Sequence, residues 1–186
     1  MDVFDNLRVI GISRTGTENV DIKEATERGI LVVNAAGRNA NAVSDYAIGL
    51  MLAESRNIAR QHAVMKEGGL TAVYYNNAIL PDLCGKTIGL FGFGYIGRLM
   101  AEKLSGFHVN LIAVDPFVSE EDMKKWNVKK ADLDTLCKES DFISIHARQT
   151  PDNFHIFDEA QFNMMKRTAY FINTARASMV NYDALV

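Results

Sequence analysis

Three glycines within TIGLFGFGYIGRLM (87–100) constrain this chain more than any other feature. Gly92, Gly94 and Gly97 follow the spacing G-x-G-x-x-G. The apolar run from Thr87 to Phe91 reads as a buried strand before them. Ile96, Leu99, Met100 and Leu104 form the inward stripe of a helix behind them, with a stop at Gly106. Glycine spacing alone is a weak signal, so the next element matters. VNLIAVD (109–115) reads as a second strand and ends on Asp115, eighteen positions after Gly97. Strand, glycine turn, helix and a second strand with an acidic end make up the dinucleotide-binding arrangement.

Each part has a physical task. Gly92 permits a sharp turn, Gly94 lets the backbone approach a pyrophosphate, and Gly97 lets helix and strand pack closely. Tyr95 and Ile96 open the helix, and their N–H groups with the helix dipole offer positive potential to a diphosphate. Asp115 can accept hydrogen bonds from the adenosine ribose and would repel a 2′-phosphate. NAD is therefore the expected cofactor, rather than NADP.

The rest of the chain alternates strand and helix. LRVIGI (7–12), GILVVN (29–34), DFISIHA (141–147) and AYFINTA (169–175) are further near-continuous apolar runs, as strands covered on both faces require. Asp21 caps a helix that stops at Gly29, and residues 41–69 read as one long helix ended by Gly68 and Gly69. Ser119, Asp132 and the Asp158-to-Gln161 capping box open shorter helices. This order predicts an α/β, doubly wound parallel sheet with right-handed crossovers. A seam near Gly37 divides a partial first domain, 1–37, from a cofactor domain, 38–186.

Composition excludes several classes. The net charge is -3 and no basic block is present, which argues against a nucleic-acid surface. No apolar run reaches membrane-span length. Two cysteines, Cys84 and Cys137, are too few for a disulfide framework and lack metal-ligand spacing, so no metal is expected and a cytoplasmic setting fits.

Outside the glycine motif, VIGISRTGTENVDIKEATERGILVVN (9–34), AVSDYAIGLML (42–52) and YFINTARASMVNYDAL (170–185) resemble the D-isomer-specific 2-hydroxyacid dehydrogenases. The phosphoglycerate-dehydrogenase-like branch is nearest. The resemblance implies a Rossmann-type NAD domain beside part of a flavodoxin-like substrate domain. It also implies hydride transfer between the nicotinamide and C2 of a 2-hydroxy or 2-oxo acid. Arg176 matches the family's catalytic arginine, and a guanidinium can hold a carboxylate while polarising a carbonyl. Thr174 falls on the nicotinamide side of the cofactor. Thr15 and Gly16 match the loop that meets the substrate carboxylate, with Thr15 also beside the cofactor. His146 and Arg148, after the 141–147 strand, are read as flanking its adenosine side.

Three arginines depart from the family pattern or add to it. Arg14 and Arg148 stand where many relatives have glycine and proline, and Arg38 adds a further cation. Arg14, with Arg38, is expected to contact a second anionic group on the substrate. The family's acid–base histidine and its glutamate lie after the matching arginine, so both are expected beyond Val186, and the opening of the substrate domain before Met1. The 186-residue chain is then expected to be inactive alone. His62, His108, His146 and His155 do not match the acid–base position, and of these only His146, at a strand's carboxyl end, could approach the cofactor. The 41–69 helix suggests a homodimer, as relatives pair through it. The competing function is a corepressor-like regulatory protein that binds NAD without turnover.

Overall fold

A computed structural model describes residues 4–69 and 82–185 of the chain, so residues 70–81 of the expected cofactor domain lie outside the described residues. The chain divides into two compact units, Met1–Asn41 and Ala42–Val186.

In the first unit, β1 (Val9–Ile12) and β2 (Leu31–Asn34) pair in parallel, with Val9 opposite Leu31 and Ile12 opposite Asn34. The crossover is α1 (Ile22–Glu27). Asp21 caps it as its sequence position requires, its carboxylate accepting from the Glu24 N–H at 2.9 Å. Gly29 ends it at φ +67°. Within this unit, burial is concentrated on one face of the strand pair. Ile12, Ala25 and Ile30 are buried, but Val9, Leu31 and Val33 are exposed. Two strands and one short helix can shield only one face.

The second unit is built on a five-stranded parallel sheet of order β5-β4-β3-β6-β7. Its strands are β3 (Thr87–Phe91), β4 (Asn110–Val114), β5 (Val128–Lys130), β6 (Phe142–Ile145) and β7 (Tyr170–Asn173). Chain order runs outward from β3 through β4 to β5, then returns to the other side of β3 for β6 and β7. Strand direction of travel therefore switches between β3 and β6, the crevice where ligands bind in open α/β sheets.

Side chains alternate across this sheet. Ile88, Leu90, Leu111, Ala113 and Phe142 join one core with Ala47 and Met51 of α2 (Ala40–Ser55) and Met100 and Leu104 of α4 (Tyr95–Leu104). Phe91, Ile112, Ile143 and Ile145 join another with Leu136 and Cys137 of α6 (Leu133–Glu139). α5 (Glu120–Lys124) and α7 (Glu159–Met164) complete the layers, each behind the predicted cap, Ser119 and Asp158.

Residues 41–69 are not one helix. α2 ends at Ser55, and α3 (Ile58–Lys66) restarts after Asn57, which is buried at φ 59°. Asparagine tolerates this left-handed conformation, and its side chain accepts from Arg60 at 2.7 Å. The fingerprint helix also departs from expectation, closing at Leu104 with a 3-10 turn over Ser105–Phe107 rather than running to Gly106. β5 is an edge strand whose short, lysine-rich sequence gave no strand signal.

Candidate functional site

The fingerprint glycines lie at the strand-order switch. Gly92 leaves β3 at φ +100°, and a Cβ there would stand 2.5 Å from the Ala147 nitrogen and 2.6 Å from its Cα. Its N–H donates to the Val114 carbonyl at 2.8 Å, while the His146 N–H donates to the Phe91 carbonyl at 2.7 Å. The turn is thus tied to β4 on one side and β6 on the other. A Cβ at Gly97 would collide with the Gly92 carbonyl oxygen, so α4 meets the turn in direct backbone contact. Gly94 differs, since a Cβ there would meet nothing within 4 Å. It is the N-cap of α4 and has no side chain to satisfy the first-turn N–H groups. Tyr95 and Ile96 follow it as the first helical residues, Tyr95 exposed and Ile96 packed against the core.

Asp115 has a part that the sequence did not reveal. One carboxylate oxygen accepts from the Phe93 N–H inside the glycine turn at 2.8 Å, and the other from the Phe117 N–H at 2.9 Å. The acidic residue ending β4 therefore fixes the turn. A carboxylate has about four acceptor positions, so capacity remains for two sugar hydroxyls. The D-P-F turn, Asp115 to Phe117, is the local signal: Asp bonds its backbone two residues on, as Asx turns do.

His146 and Thr174 follow β6 and β7 immediately after the paired residues Ile145 and Asn173. Both His146 ring nitrogens and the Thr174 hydroxyl are buried without a hydrogen-bond partner. Orphaned polar atoms at adjoining strand ends, beside an open glycine and an uncapped helix start, fit a polar ligand such as NAD. Burial pulls the His146 pKa down to about 4, even though the residue as a whole is only half-buried.

The unfolded chain then binds more protons than the folded one below the ordinary histidine pKa. Stability from this group is complete above about pH 6.5 and is lost as pH falls toward 4, by about 3 kcal/mol at most. Urea midpoints measured from pH 7 to 4.5 should fall steeply, and His146→Gln should flatten that slope. An unchanged slope in the variant would show that other groups drive it.

The N-T-A-R stretch is braced by Asn173, a residue that motif reading passed over. Its Nδ2 donates to the Arg176 carbonyl at 3.0 Å and to the Tyr182 hydroxyl at 3.3 Å, and its Oδ1 accepts from the Ala175 N–H at 3.0 Å. Arg176 is exposed, with Nη1 donating to the Ala175 carbonyl at 3.0 Å. Arg148 is also exposed, and its carbonyl accepts from Asn153 at 2.8 Å within the capped turn at Pro151–Asn153.

In the first unit, Thr15 is held at both polar groups. Its carbonyl accepts from Asn34 Nδ2 at 2.7 Å and its hydroxyl from the Gly37 N–H at 3.4 Å. Gly16 is half-buried. Arg14 is exposed and faces Glu18 at 3.9 Å, and Arg38 is exposed on the segment after β2. The apolar groove between α2 and β7, lined by residues including Met51, Tyr170 and Ile172, contains none of the sequence-predicted cofactor residues. Among the described residues, no cluster of His, Cys, Asp or Glu could hold a metal ion, and no helix is long and apolar enough to cross a membrane.

Comparison with known proteins agrees with this geometry. Residues 48–186 match the model of the D-isomer specific 2-hydroxyacid dehydrogenase NAD binding domain. The chain is 40% identical to a hydroxypyruvate reductase of Thermotoga maritima, over 97% of this chain and 57% of the relative. It is 36% identical to a D-3-phosphoglycerate dehydrogenase of Methanocaldococcus jannaschii, over 97% of this chain and 34% of that one. Among solved structures it resembles the NAD-dependent formate dehydrogenase of Staphylococcus aureus in complex with NAD. That match has a TM-score of 0.85 and 38% identity, covering 97% of this chain and 53% of the other. The chain thus spans between a third and a little over half of the relatives it matches. With the glycine turn, its acidic partner and the sheet order all in agreement, the chain belongs to the D-isomer-specific 2-hydroxyacid dehydrogenase family, whose NAD-binding domain its second unit represents.

Proposed function

We propose that the protein is an NAD-dependent oxidoreductase that moves a hydride between the nicotinamide and C2 of a D-2-hydroxy acid. The observation that carries this reading is the glycine turn locked between β3, β4 and β6, with Gly94 open and the Asp115 carboxylate bonded into the turn. Gly92, Gly94 and Gly97 with the Tyr95 and Ile96 amides would hold the diphosphate, and Asp115 the adenosine ribose. His146 and Arg148 would flank the adenosine side and Thr174 the nicotinamide side. Bound NAD supplies the hydride acceptor, or as NADH the donor.

Arg176 would grip the substrate carboxylate and carbonyl oxygen. Thr15 and Gly16 are assigned, from the family loop they match, to binding the substrate carboxylate through backbone donors, with Thr15 also beside the cofactor. His146, held neutral by burial, is a poor proton donor at neutral pH. Arg14, with Arg38, is assigned to a second anionic group on the substrate, and its exposed pairing with Glu18 at 3.9 Å is weak enough to give way to that anion. Residues 1–37 are assigned to the substrate domain and 38–186 to the cofactor domain. Exposed Tyr46, Ile58 and Met65 on α2 and α3 support a homodimer through these helices. Two cysteines outside any disulfide, Cys84 and Cys137, suit a cytoplasmic setting.

The test is NADH consumption by the full-length protein with glyoxylate or hydroxypyruvate, with sedimentation of the same preparation. Turnover with NADH well above that with NADPH, by a particle of twice the subunit mass, is expected. NAD uptake without turnover on any 2-oxo acid would overturn the oxidoreductase reading.

A further inference from the structure

We propose that Asn34 is a positioning residue that aims the Gly16 N–H at the substrate carboxylate, an inference that rests on the carboxylate-binding reading of Thr15 and Gly16. Asn34 closes β2 opposite Ile12, the residue from which β1 passes into the loop. Its Nδ2 donates to the Thr15 carbonyl at 2.7 Å. A second tether, from the Gly37 N–H to the Thr15 hydroxyl at 3.4 Å, is longer. Past Gly16 the loop turns back through a bond from the Val20 N–H to the Thr17 carbonyl at 3.0 Å.

A trans peptide is planar, so the Thr15 C=O and the Gly16 N–H point in opposite directions. Holding the carbonyl toward Asn34 therefore turns the Gly16 N–H away from the end of β2 and keeps it there. Burial does not do this work, because Thr15 is exposed and Gly16 only half-buried. The amide of Asn34 sets the plane. Aspartate has nearly the same shape but offers oxygen to oxygen, so it removes the donor without removing volume. Asn34 touches no reacting atom and acts through the peptide it orients.

The experiment compares wild-type, Asn34→Asp and Asn34→Ala full-length protein in glyoxylate reduction at saturating NADH. Both variants should raise the KM for glyoxylate roughly tenfold while kcat stays within about threefold, the pattern of lost uniform binding. NAD affinity and the urea midpoint should not move. In 15N-labelled protein with NAD, oxamate should shift the Gly16 amide resonance of the wild type and not that of Asn34→Asp. An unchanged KM and an unchanged Gly16 response in Asn34→Asp would overturn the assignment alone. So would a lowered urea midpoint with kcat and KM both impaired, which marks a structural role. Absence of both turnover and a Gly16 response in the wild type would overturn the dehydrogenase reading, and this inference with it.

Discussion

Gly92→Ala is expected to destabilise the fold by about 2–5 kcal/mol, while Gly94→Ala, two residues away, leaves stability intact and selectively weakens NAD binding. At Gly92 the new methyl group would meet the Ala147 nitrogen at 2.5 Å, its Cα at 2.6 Å and the His146 carbonyl carbon at 2.8 Å. These are backbone atoms of the segment leaving β6 and cannot swing aside. The φ of +100° adds strain that a side chain resists. Left-handed strain of about 1–2 kcal/mol and overpacking of about 1–3 kcal/mol together remove a large share of a domain's usual 5–15 kcal/mol. At Gly94, by contrast, φ is -82° and a Cβ would stand in open space.

Only a ligand could object to the methyl group at Gly94. Calorimetry should therefore find NAD affinity reduced about 10- to 100-fold in Gly94→Ala, since an approach of backbone to pyrophosphate has no room for a methyl group. Urea denaturation without NAD should give the wild-type midpoint. If Gly94→Ala bound NAD as wild type does, the diphosphate would not pass over this glycine. If Gly92→Ala kept the wild-type midpoint, the turn would not be fixed against β6 as described.

The parts of this fold that were legible in the sequence are those whose physics is local. A glycine turn between a buried strand and an amphipathic helix declares itself over some fifteen residues, and the caps at Asp21, Ser119, Asp132 and Asp158 act within one helical turn. Non-local features were not legible. Helix-forming residues run on past Asn57, and the left-handed backbone there divides the helix. Val128–Lys130 becomes a strand because β4 offers it a ladder, not because valine and two lysines prefer one. The same limit holds at the site. Glycines and Asp115 were visible, but the bond from Phe93 to Asp115 spans 22 residues and that from Asn34 to Thr15 spans 19. Such bonds exist only once the sheet has assembled. Asn173 lay inside a recognised motif, yet its three hydrogen bonds around Arg176 could not be read from its position.

Arg176→Ala in the full-length protein should lower kcat/KM on 2-oxo acids about a hundred- to a thousandfold, the usual cost of deleting a donor aimed at developing oxyanion charge. Its brace makes this test clean. Asn173 bonds the backbone carbonyl of residue 176, not its guanidinium, so truncating the side chain leaves the bonds from Asn173 to the Arg176 carbonyl, to Tyr182 and from Ala175 in place. The exposed guanidinium contributes little to packing, so the urea midpoint should stay within about 0.5 kcal/mol of wild type. NAD affinity should not change either, because the proposed diphosphate and ribose contacts lie at the glycine turn and Asp115, away from the Arg176 side chain. Arg176→Lys separates charge from shape. An ammonium restores a point charge but not the planar fork, so it should recover only part of the lost rate. Full recovery with lysine would mean that charge alone suffices and that no bidentate grip exists. Loss of NAD binding in either variant would place Arg176 on the cofactor instead of the substrate. Asn173→Ala supplies the converse measurement: the guanidinium remains but its backbone loosens, so kcat/KM should fall less than in Arg176→Ala while the urea midpoint drops.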